Sequence, residues 1–600
     1  MTTRHRYTIT PSDPGAHLFE VRVAVASPEP SGQVFRIPAW IPGSYLIRDF
    51  ARNVVSLRAE SEDRILELTK LDKSSWQCEP CEAPLTLVCE IHALDLSVRG
   101  AHLDMTHAYF NGPSVFPEVV GQSDVACEVE ICPPPAPLGK GWRVATSMNA
   151  VEAEQYGFGL YRAADYAELI DHPVEIGDLL IGEFEAGGIP HAIAVRGHPK
   201  VEMARICKDL SVLCEQHMKL LGKPADLDRY LFLLLVLPDG YGGLEHRWST
   251  SLVCSRGDLP RRGETGVSNG YRKFLGLCSH EYFHLWNVTR MKPRAFVPYA
   301  LQAEKHTGLL WVFEGVTSYY DDLALVRSGL ITPESYLELL GQTITRVLRG
   351  KGRLRQSVEE SSFDAWTKFY RQDANSPNHI VSYYAKGALV AMALDLTLRR
   401  QTDWTCSLDD VMRECWKRFA EEGMPERGLE SVAAELAGVE LDEFFERYAR
   451  GTADLPLEQM LHDCGINLHL RAARDARDLG GKPASDKNPL PPWLGANLAS
   501  KDGRSVFGLV QTGSPGERAG LTAGDEAVSI NDLRLTADNF DTRLKEYQPG
   551  DRVTLRVFRR DELVRLQVRL EEPPEDTCYL QIDKDAAEAA IRNRERWLSG

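Results

Sequence analysis

Apolar and polar positions alternate in short runs from Tyr7 to about Gly187, as in Phe19-Glu20-Val21-Arg22-Val23-Ala24-Val25, with Pro, Gly and Asp between the runs. A period of two with such punctuation predicts strands joined by turns, so residues 1–187 read as a β-rich domain. From 188 the pattern lengthens. Val201 to Leu221 carries helical spacing, and Tyr230 to Leu237 is an apolar run short enough for a buried strand, so 188–381 reads as a mixed α/β domain. After Ser382 the period is helical, with Leu389, Met392 and Leu396, then Phe444, Phe445 and Tyr448, which predicts a helical domain over 382–473. The stretch 474–492 is rich in Asp, Gly, Lys and Pro and reads as a linker. Strand signals return in Val506–Val510, Glu526–Ile530 and Val553–Val557 with Gly-rich turns, giving a small β module over 493–575 and a tail over 576–600. The expected class is a multidomain α+β protein without a repeat of fixed period.

A chain of 600 residues exceeds what one core supports, which agrees with several domains. Its 43% hydrophobic and 26% charged residues are those of an ordinary globular protein. The net charge of -17 repels a phosphate backbone, and no cationic cluster offsets it, so nucleic acid is not expected as a partner. The first residues, Met1-Thr2-Thr3-Arg4-His5-Arg6-Tyr7, lack the apolar core of a secretory signal, and no run approaches the ~20 apolar residues of a membrane span. Thirteen scattered cysteines fit reduced thiols better than a disulfide framework. A cytoplasmic location and no membrane partner are therefore expected. Cys78 and Cys81 form one isolated CxxC pair, without the second pair that a zinc ribbon needs.

The sharpest chemical signal is His280-Glu281-Tyr282-Phe283-His284. Residues four apart share a helix face, so two imidazoles can meet one metal with Glu281 beside it as a general base. From the composition, chance matches number roughly 0.06. Phe274, Leu275, Leu277, Phe283, Leu285 and Trp286 make the helix apolar, and two unpartnered imidazoles would be costly there. A catalytic zinc takes three protein ligands and one water. Glu314 is the candidate for the third, a lone carboxylate within the apolar run Leu310 to Tyr320. Asp321, two helical turns further on, is a candidate to orient a ligand imidazole; a solvent-facing Asp321 or Asp322 is the competing reading. The pattern points to a peptidase with one zinc ion per chain and peptide substrates.

These residues resemble the glycyl aminopeptidase family of zinc metallopeptidases that carry a PDZ domain, of gluzincin type. The resemblance rests on Trp40-Ile41-Pro42-Gly43-Ser44-Tyr45 with Arg48-Asp49-Phe50, on Gly242-Gly243-Leu244-Glu245-His246, on the histidine helix with Trp286-Asn287, on Glu314-Gly315, and on Tyr384-Ala385-Lys386-Gly387. It implies a β-rich N-terminal domain, a thermolysin-like catalytic domain with a helical extension, and a C-terminal PDZ-like domain. It further implies that Gly243 and Glu245 bind substrate, the carboxylate gripping the free α-amine, and that Tyr384 hydrogen-bonds the developing oxyanion, with Tyr383 as its adjacent alternative. The sequence departs from the wider superfamily's aminopeptidase pentapeptide at Gly243-Leu244-Glu245-His246. The family name implies release of an N-terminal glycine or alanine.

Gly513-Ser514-Pro515-Gly516-Glu517-Arg518-Ala519-Gly520-Leu521 followed by Ala523-Gly524-Asp525-Glu526 resembles the turn and helix of a PDZ domain. Leu494, Gly495 and Ala496 occupy its carboxylate loop, departing from Gly-Leu-Gly-Phe, so that a C-terminal peptide is a candidate partner. Two other functions compete: an endopeptidase or broad-specificity peptidase with PDZ-recruited substrates, and a peptide-binding protein on an inactive peptidase scaffold.

Overall fold

A computed structural model describes residues 4–62, 64–484 and 490–600. The chain divides into two compact units, Met1–Lys305 with Trp416–Gly423, and His306–Cys415 with Met424–Gly600.

The first unit opens with the expected β-rich domain. Its largest sheet has eight strands, in the order Asn149–Ala150, Gly159–Ala163, Cys127–Ile131, His5–Asp13, Leu18–Val25, Leu85–His92, Val54–Ser61 and Arg64–Leu66. Leu18–Val25 alternates half-buried and buried residues, as its period-two pattern requires. Its inward side chains Phe19, Val21 and Val23 join Tyr7, Phe110 and Phe116 in the core. Two four-stranded sheets complete the domain, one of them ordered Arg143–Thr146, Val174–Gly177, His107–Phe110 and Ala101–Leu103.

The mixed sheet that follows is ordered Leu180–Ala186, Ile189–Arg196, Tyr230–Leu237, Ser249–Ser255 and Tyr241–Glu245. Its three central strands run parallel, so the middle one is buried on both faces, which is why its sequence is an unbroken apolar run. Leu180–Ala186 pairs antiparallel with Ile189–Arg196. This sheet thus begins at Leu180, ahead of the change of pattern at 187. Tyr241–Glu245 is the opposite edge and pairs antiparallel with Ser249–Ser255, not with Tyr230–Leu237. Helices Met203–Leu221 and Asn269–Phe283 belong to the same unit.

The second unit is helical before 382 as well as after it: Val316–Arg327 and Pro333–Arg349 pack with Ala385–Gln401. The last helix is buried from Ala385 through Arg399. Asp395, fully buried, accepts from Arg399 at 2.9 Å, from Tyr319 at 2.7 Å and from the Leu408 amide at 2.9 Å, so its charge is matched. Of the predicted linker, residues 485–489 lie outside the described residues. Its first part is anchored: Asp478 takes a bidentate bond from Arg471, and the Gly481 amide donates to the Cys578 carbonyl. Residues 576–600 do not form a simple tail. Thr577–Ile582 pairs with Ile466–Arg471, and Glu588–Ser599 buries Trp597, whose indole donates to Tyr319.

The C-terminal β module is a sheet ordered Ala496–Lys501, Arg504–Val510, Glu526–Ile530, Arg552–Arg559 and Glu562–Arg569, with short helices Pro515–Arg518 and Phe540–Leu544. It docks on the helical part of its unit through Asn378, which donates to the Val510 carbonyl at 2.8 Å and accepts from the Thr512 amide at 2.9 Å. All thirteen cysteines are free thiols. Burial pushes the Cys78 thiol up to about 11, the reverse of what a metal-thiolate or redox pair needs. Among the described residues no helix is long and apolar enough to cross a membrane.

Candidate active site

The histidine motif closes the helix Asn269–Phe283, which starts at Ser268, whose hydroxyl accepts from the Tyr271 amide. His284 caps its end, and beyond it the chain turns back so that the Asn287 carbonyl meets His284 Nδ1 at 2.7 Å. A carbonyl only accepts, so His284 carries its proton on Nδ1 and presents the Nε2 lone pair outward. His280 Nε2 lies 3.1 Å from His284 Nε2. Two imidazole nitrogens at that separation match neighbouring vertices of a tetrahedral zinc with bonds of ~2.0–2.1 Å. The donor set and the fixed tautomer fit the metal.

Two carboxylates meet at the same place. One ligand atom each from Glu245, Glu281 and His284 lie within 4.8 Å of one another. Glycines make this possible. A Cβ on Gly243 would lie 2.0 Å from Glu281 Oε1, so the edge strand rests directly on that carboxylate. Gly43, at a φ of +83°, stands against Glu245 in the same way, its notional Cβ 2.5 Å from Oε1. Gly43 belongs to the Trp40–Tyr45 segment, where Trp40 donates to the Ala300 carbonyl and Tyr45 stacks on Phe296.

The strand and the helix are held in mutual position by groups that local spacing does not reveal. Arg290 is buried; it donates to the carbonyls of Arg247, two residues past Glu245, and of Leu285, one past His284, while pairing with Asp226 at 3.0 Å. His246 bridges Asp171, 2.9 Å from Nδ1, and Asn111, 3.1 Å from Nε2. Burial pushes the Asp171 carboxyl up, but the bonds from His246 and the Arg247 amide outweigh it and leave it below the usual range. Arg99 donates to the Gly243 carbonyl at 3.2 Å.

In the second unit, Glu314 is buried within a π-helical turn, Trp311–Gly315, that leads into Val316–Arg327. Such turns concentrate at functional sites because they re-aim one side chain. Gly315 and Gly387 touch backbone to backbone, a Cβ on Gly315 lying 2.6 Å from the Gly387 Cα, and this close crossing brings Tyr384 to the charge of Glu314. Burial first, and Glu314 second, push the Tyr384 phenol well above 10, so it keeps its proton. Tyr384 is half-buried and meets the Tyr370 hydroxyl at 3.2 Å, whereas Tyr383 is fully buried beneath Phe369 and Tyr384. Asp321 accepts from the Asp322 amide and adds its charge to the surroundings of Tyr336.

In the β module, Leu494 belongs to the core, and Gly495 adopts a φ of +75° with its notional Cβ 2.1 Å from Ser514 Cβ. The Leu494 and Gly495 carbonyls accept from the Gly516 and Gln511 amides. Ala496 begins an edge strand.

The structure brings Glu245, Glu281, His280 and His284 close together. Gly43, Asn111, Asp171, Asp226 and Arg290 were not signalled. Only the Trp40–Tyr45 motif, already conspicuous, could have drawn attention to Gly43.

Two family models match the chain: the Peptidase M61 N-terminal domain over residues 6–178, and the M61 glycyl aminopeptidase over residues 273–390. A crystal structure of an aminopeptidase N family protein from Idiomarina loihiensis is 39% identical, with a TM-score of 0.94, covering 99% of this chain and 100% of that one. The M1 zinc metallopeptidase from Deinococcus radiodurans is 15% identical over 76% of this chain and 95% of its own, with a TM-score of 0.46. No curated protein matches. The chain therefore belongs to the aminopeptidase family of the Idiomarina protein and carries the two domains of the M61 glycyl aminopeptidases.

Proposed function

We propose that the chain is a zinc-dependent aminopeptidase that removes a small N-terminal residue, glycine or alanine, from peptides. The observation that carries this reading is the seating of the edge strand on the base: Gly243 against the Glu281 carboxylate, with Glu245 at the strand's end. A peptide laid along that edge has its first carbonyl beside Glu281 and its ammonium beside Glu245. Glu245 then fixes the register, so cleavage falls after one residue.

His280 and His284 would hold one zinc ion, and Glu314 is the third ligand in this reading, since two imidazoles leave a catalytic zinc one protein ligand short. Its burial in a π-turn beside a phenol supports that assignment. Zinc, when bound, supplies a Lewis acid and makes water a better nucleophile near neutral pH. Glu281 takes the proton of the attacking water and passes it to the leaving amine. Tyr384, kept protonated by its surroundings, donates to the oxygen that gains charge at the scissile carbonyl. Asp321, two helical turns past Glu314, would orient a ligand imidazole in this reading. The Gly/Ala preference is supported by the family alone, and the thirteen free thiols support a reducing compartment. The edge strand Ala496–Lys501 supports PDZ-like peptide capture by strand addition, with Leu494, Gly495 and Ala496 forming the loop that would receive the peptide's carboxylate through backbone N–H groups.

The test is hydrolysis of dipeptides and of matching N-blocked peptides, before and after chelation, by the wild-type chain and Glu281→Gln. Chelator-sensitive cleavage of free-amine substrates, fastest for Gly or Ala and lost in Glu281→Gln, is expected. Cleavage of blocked peptides would favour the endopeptidase, and metal-bound protein without hydrolysis the peptide-binding scaffold. Tyr384→Phe should lower kcat about 10²–10³-fold. Tyr383→Phe should not, and the reverse ranking would move the oxyanion role to Tyr383.

A further inference from the structure

A second cluster of metal-ligating side chains lies in the N-terminal β domain, on the hairpin of strands Ala101–Leu103 and His107–Phe110. One ligand atom each from His102, Asp104 and His107 lie within 4.8 Å of one another. His102 Nε2 is 3.1 Å from Asp104 Oδ2, and His107 Nδ1 is 3.6 Å from Asp104 Oδ1. The two distances run to different oxygens of Asp104, and both are near the ~3.3 Å that separates ligand atoms on a tetrahedral ion with bonds of ~2.0 Å. The rings stack, with centroids 4.7 Å apart. Asp104 is already rigid: its Oδ1 accepts from the Thr106 amide, the Thr106 hydroxyl and the His107 amide.

The other side of the rings supplies an independent observation. Among the described residues, His102 Nδ1 and His107 Nε2 are buried without a hydrogen-bond partner, and so is Glu175 Oε1. Each of the three residues is at least nine-tenths buried. Register explains why they meet: Tyr109 pairs with His102 on one side and with Glu175 on the other, and His107 lies two residues from Tyr109 on the same face. All of them line one small cavity, together with Ser251 and Val253. Orphaned buried polar atoms are costly, and three in one cavity call for a cause. Metal ligation at the opposite ring nitrogens would fix the role of two of them. An ion on His102 Nε2 and His107 Nδ1 forces the proton of each ring onto the opposite nitrogen, creating two N–H donors that face the cavity Glu175 lines.

We infer that His102, Asp104 and His107 form a second transition-metal site, of zinc type, with two imidazoles, one carboxylate and a fourth position open to water. Asp104 is one-third exposed, which gives the ion an entry path. Bound there, the ion stiffens the hairpin whose preceding loop supplies Arg99 to the Gly243 carbonyl.

The test is zinc stoichiometry of the full chain after equilibrium dialysis, with cobalt(II) absorption as a second readout. The wild-type chain is expected to hold two ions. His280→Ala/His284→Ala should keep one, with cobalt d–d bands, and adding Asp104→Asn or His107→Gln should remove it. Asp104→Asn, which keeps an acceptor for the turn, covers the case in which a histidine variant fails to fold. A His280→Ala/His284→Ala chain that holds no metal overturns the inference, as does a residual ion indifferent to Asp104→Asn and His107→Gln. Failure of the active-site reading is distinct: there the ion lost on changing His280 and His284 would be missing from the wild-type chain as well.

Discussion

Two histidine–carboxylate clusters stand in the first unit, and they are built in opposite ways. On the helix Asn269–Phe283, one imidazole has its rear nitrogen satisfied by the Asn287 carbonyl and its front nitrogen turned to its neighbour, so the tautomer is set before any ion arrives. On the hairpin, the nitrogens nearest Asp104 are engaged, and the rear ones face a cavity without partners. The first arrangement is preorganised for chemistry, which demands fixed groups and an approachable front. The second gains its complement only when an ion is bound, which suits a site that consolidates structure.

The sharpest break between the clusters is chemical. Glu281→Gln keeps the size and one acceptor of the base but cannot take a proton. It should lower kcat by about 10³-fold or more while zinc content and melting midpoint stay near wild type. A variant that lost zinc along with activity would show that Glu281 holds the site together and would leave the base unassigned.

Glu245 separates binding from chemistry within the first cluster. On the proposed function, Glu245→Ala removes the partner of the substrate ammonium in a buried setting, at a cost of about 2–3 kcal/mol, which is roughly 30–150-fold in kcat/KM. The loss should appear with free-amine peptides and be absent from any residual cleavage of blocked ones. An equal loss on both would make Glu245 a structural carboxylate.

Gly43 tests whether the glycine wall matters. Gly43→Ala places a Cβ where the Glu245 carboxylate sits and forces alanine to a φ of +83°. The backbone strain alone is about 1–2 kcal/mol. KM for free-amine peptides should rise roughly tenfold with kcat little changed, since Glu281 rests on Gly243 and not on Gly43. A fall in kcat at constant KM would mean that the two carboxylates move together.

The contrast also explains what was legible in the sequence. His280 and His284 are four apart on a helix, and one periodicity suffices to bring them together. His102, Asp104 and His107 are two and three apart across a turn, a spacing without meaning until the bonds that the Thr106 and His107 amides donate to Asp104 fix that turn. Gly43 against Glu245 joins positions far apart in the chain, and no local pattern encodes that. Tyr230–Leu237 was readable because a strand buried on both faces has no polar face to interrupt it. The role of residues 576–600 was not, because a strand whose partner is Ile466–Arg471 shows its purpose only in the pairing.

A buried histidine outside both clusters, His191, supplies the baseline, because nothing in its setting suggests a metal. His191 donates from Nδ1 to the Ile189 carbonyl at 2.8 Å and accepts at Nε2 from the Tyr282 hydroxyl at 2.9 Å, which fully uses the neutral ring. Burial pulls it down to about 4 from the ordinary 6.5, against a smaller opposing effect of the Ile189 bond. Below pH 6.5 the unfolded chain binds a proton at this residue that the folded chain refuses until about pH 4. Stability therefore falls as pH drops through that window, by about 1.4 kcal/mol per unit and roughly 3 kcal/mol in all. His191→Gln removes this contribution. The variant should melt below wild type at pH 7, where the lost packing against Phe184 and Tyr282 dominates, and the gap in midpoint should close as pH is lowered toward 4.5. A gap that stays constant with pH would mean that His191 is already charged in the folded chain, and that a buried histidine here needs more than two neutral hydrogen bonds to stay neutral.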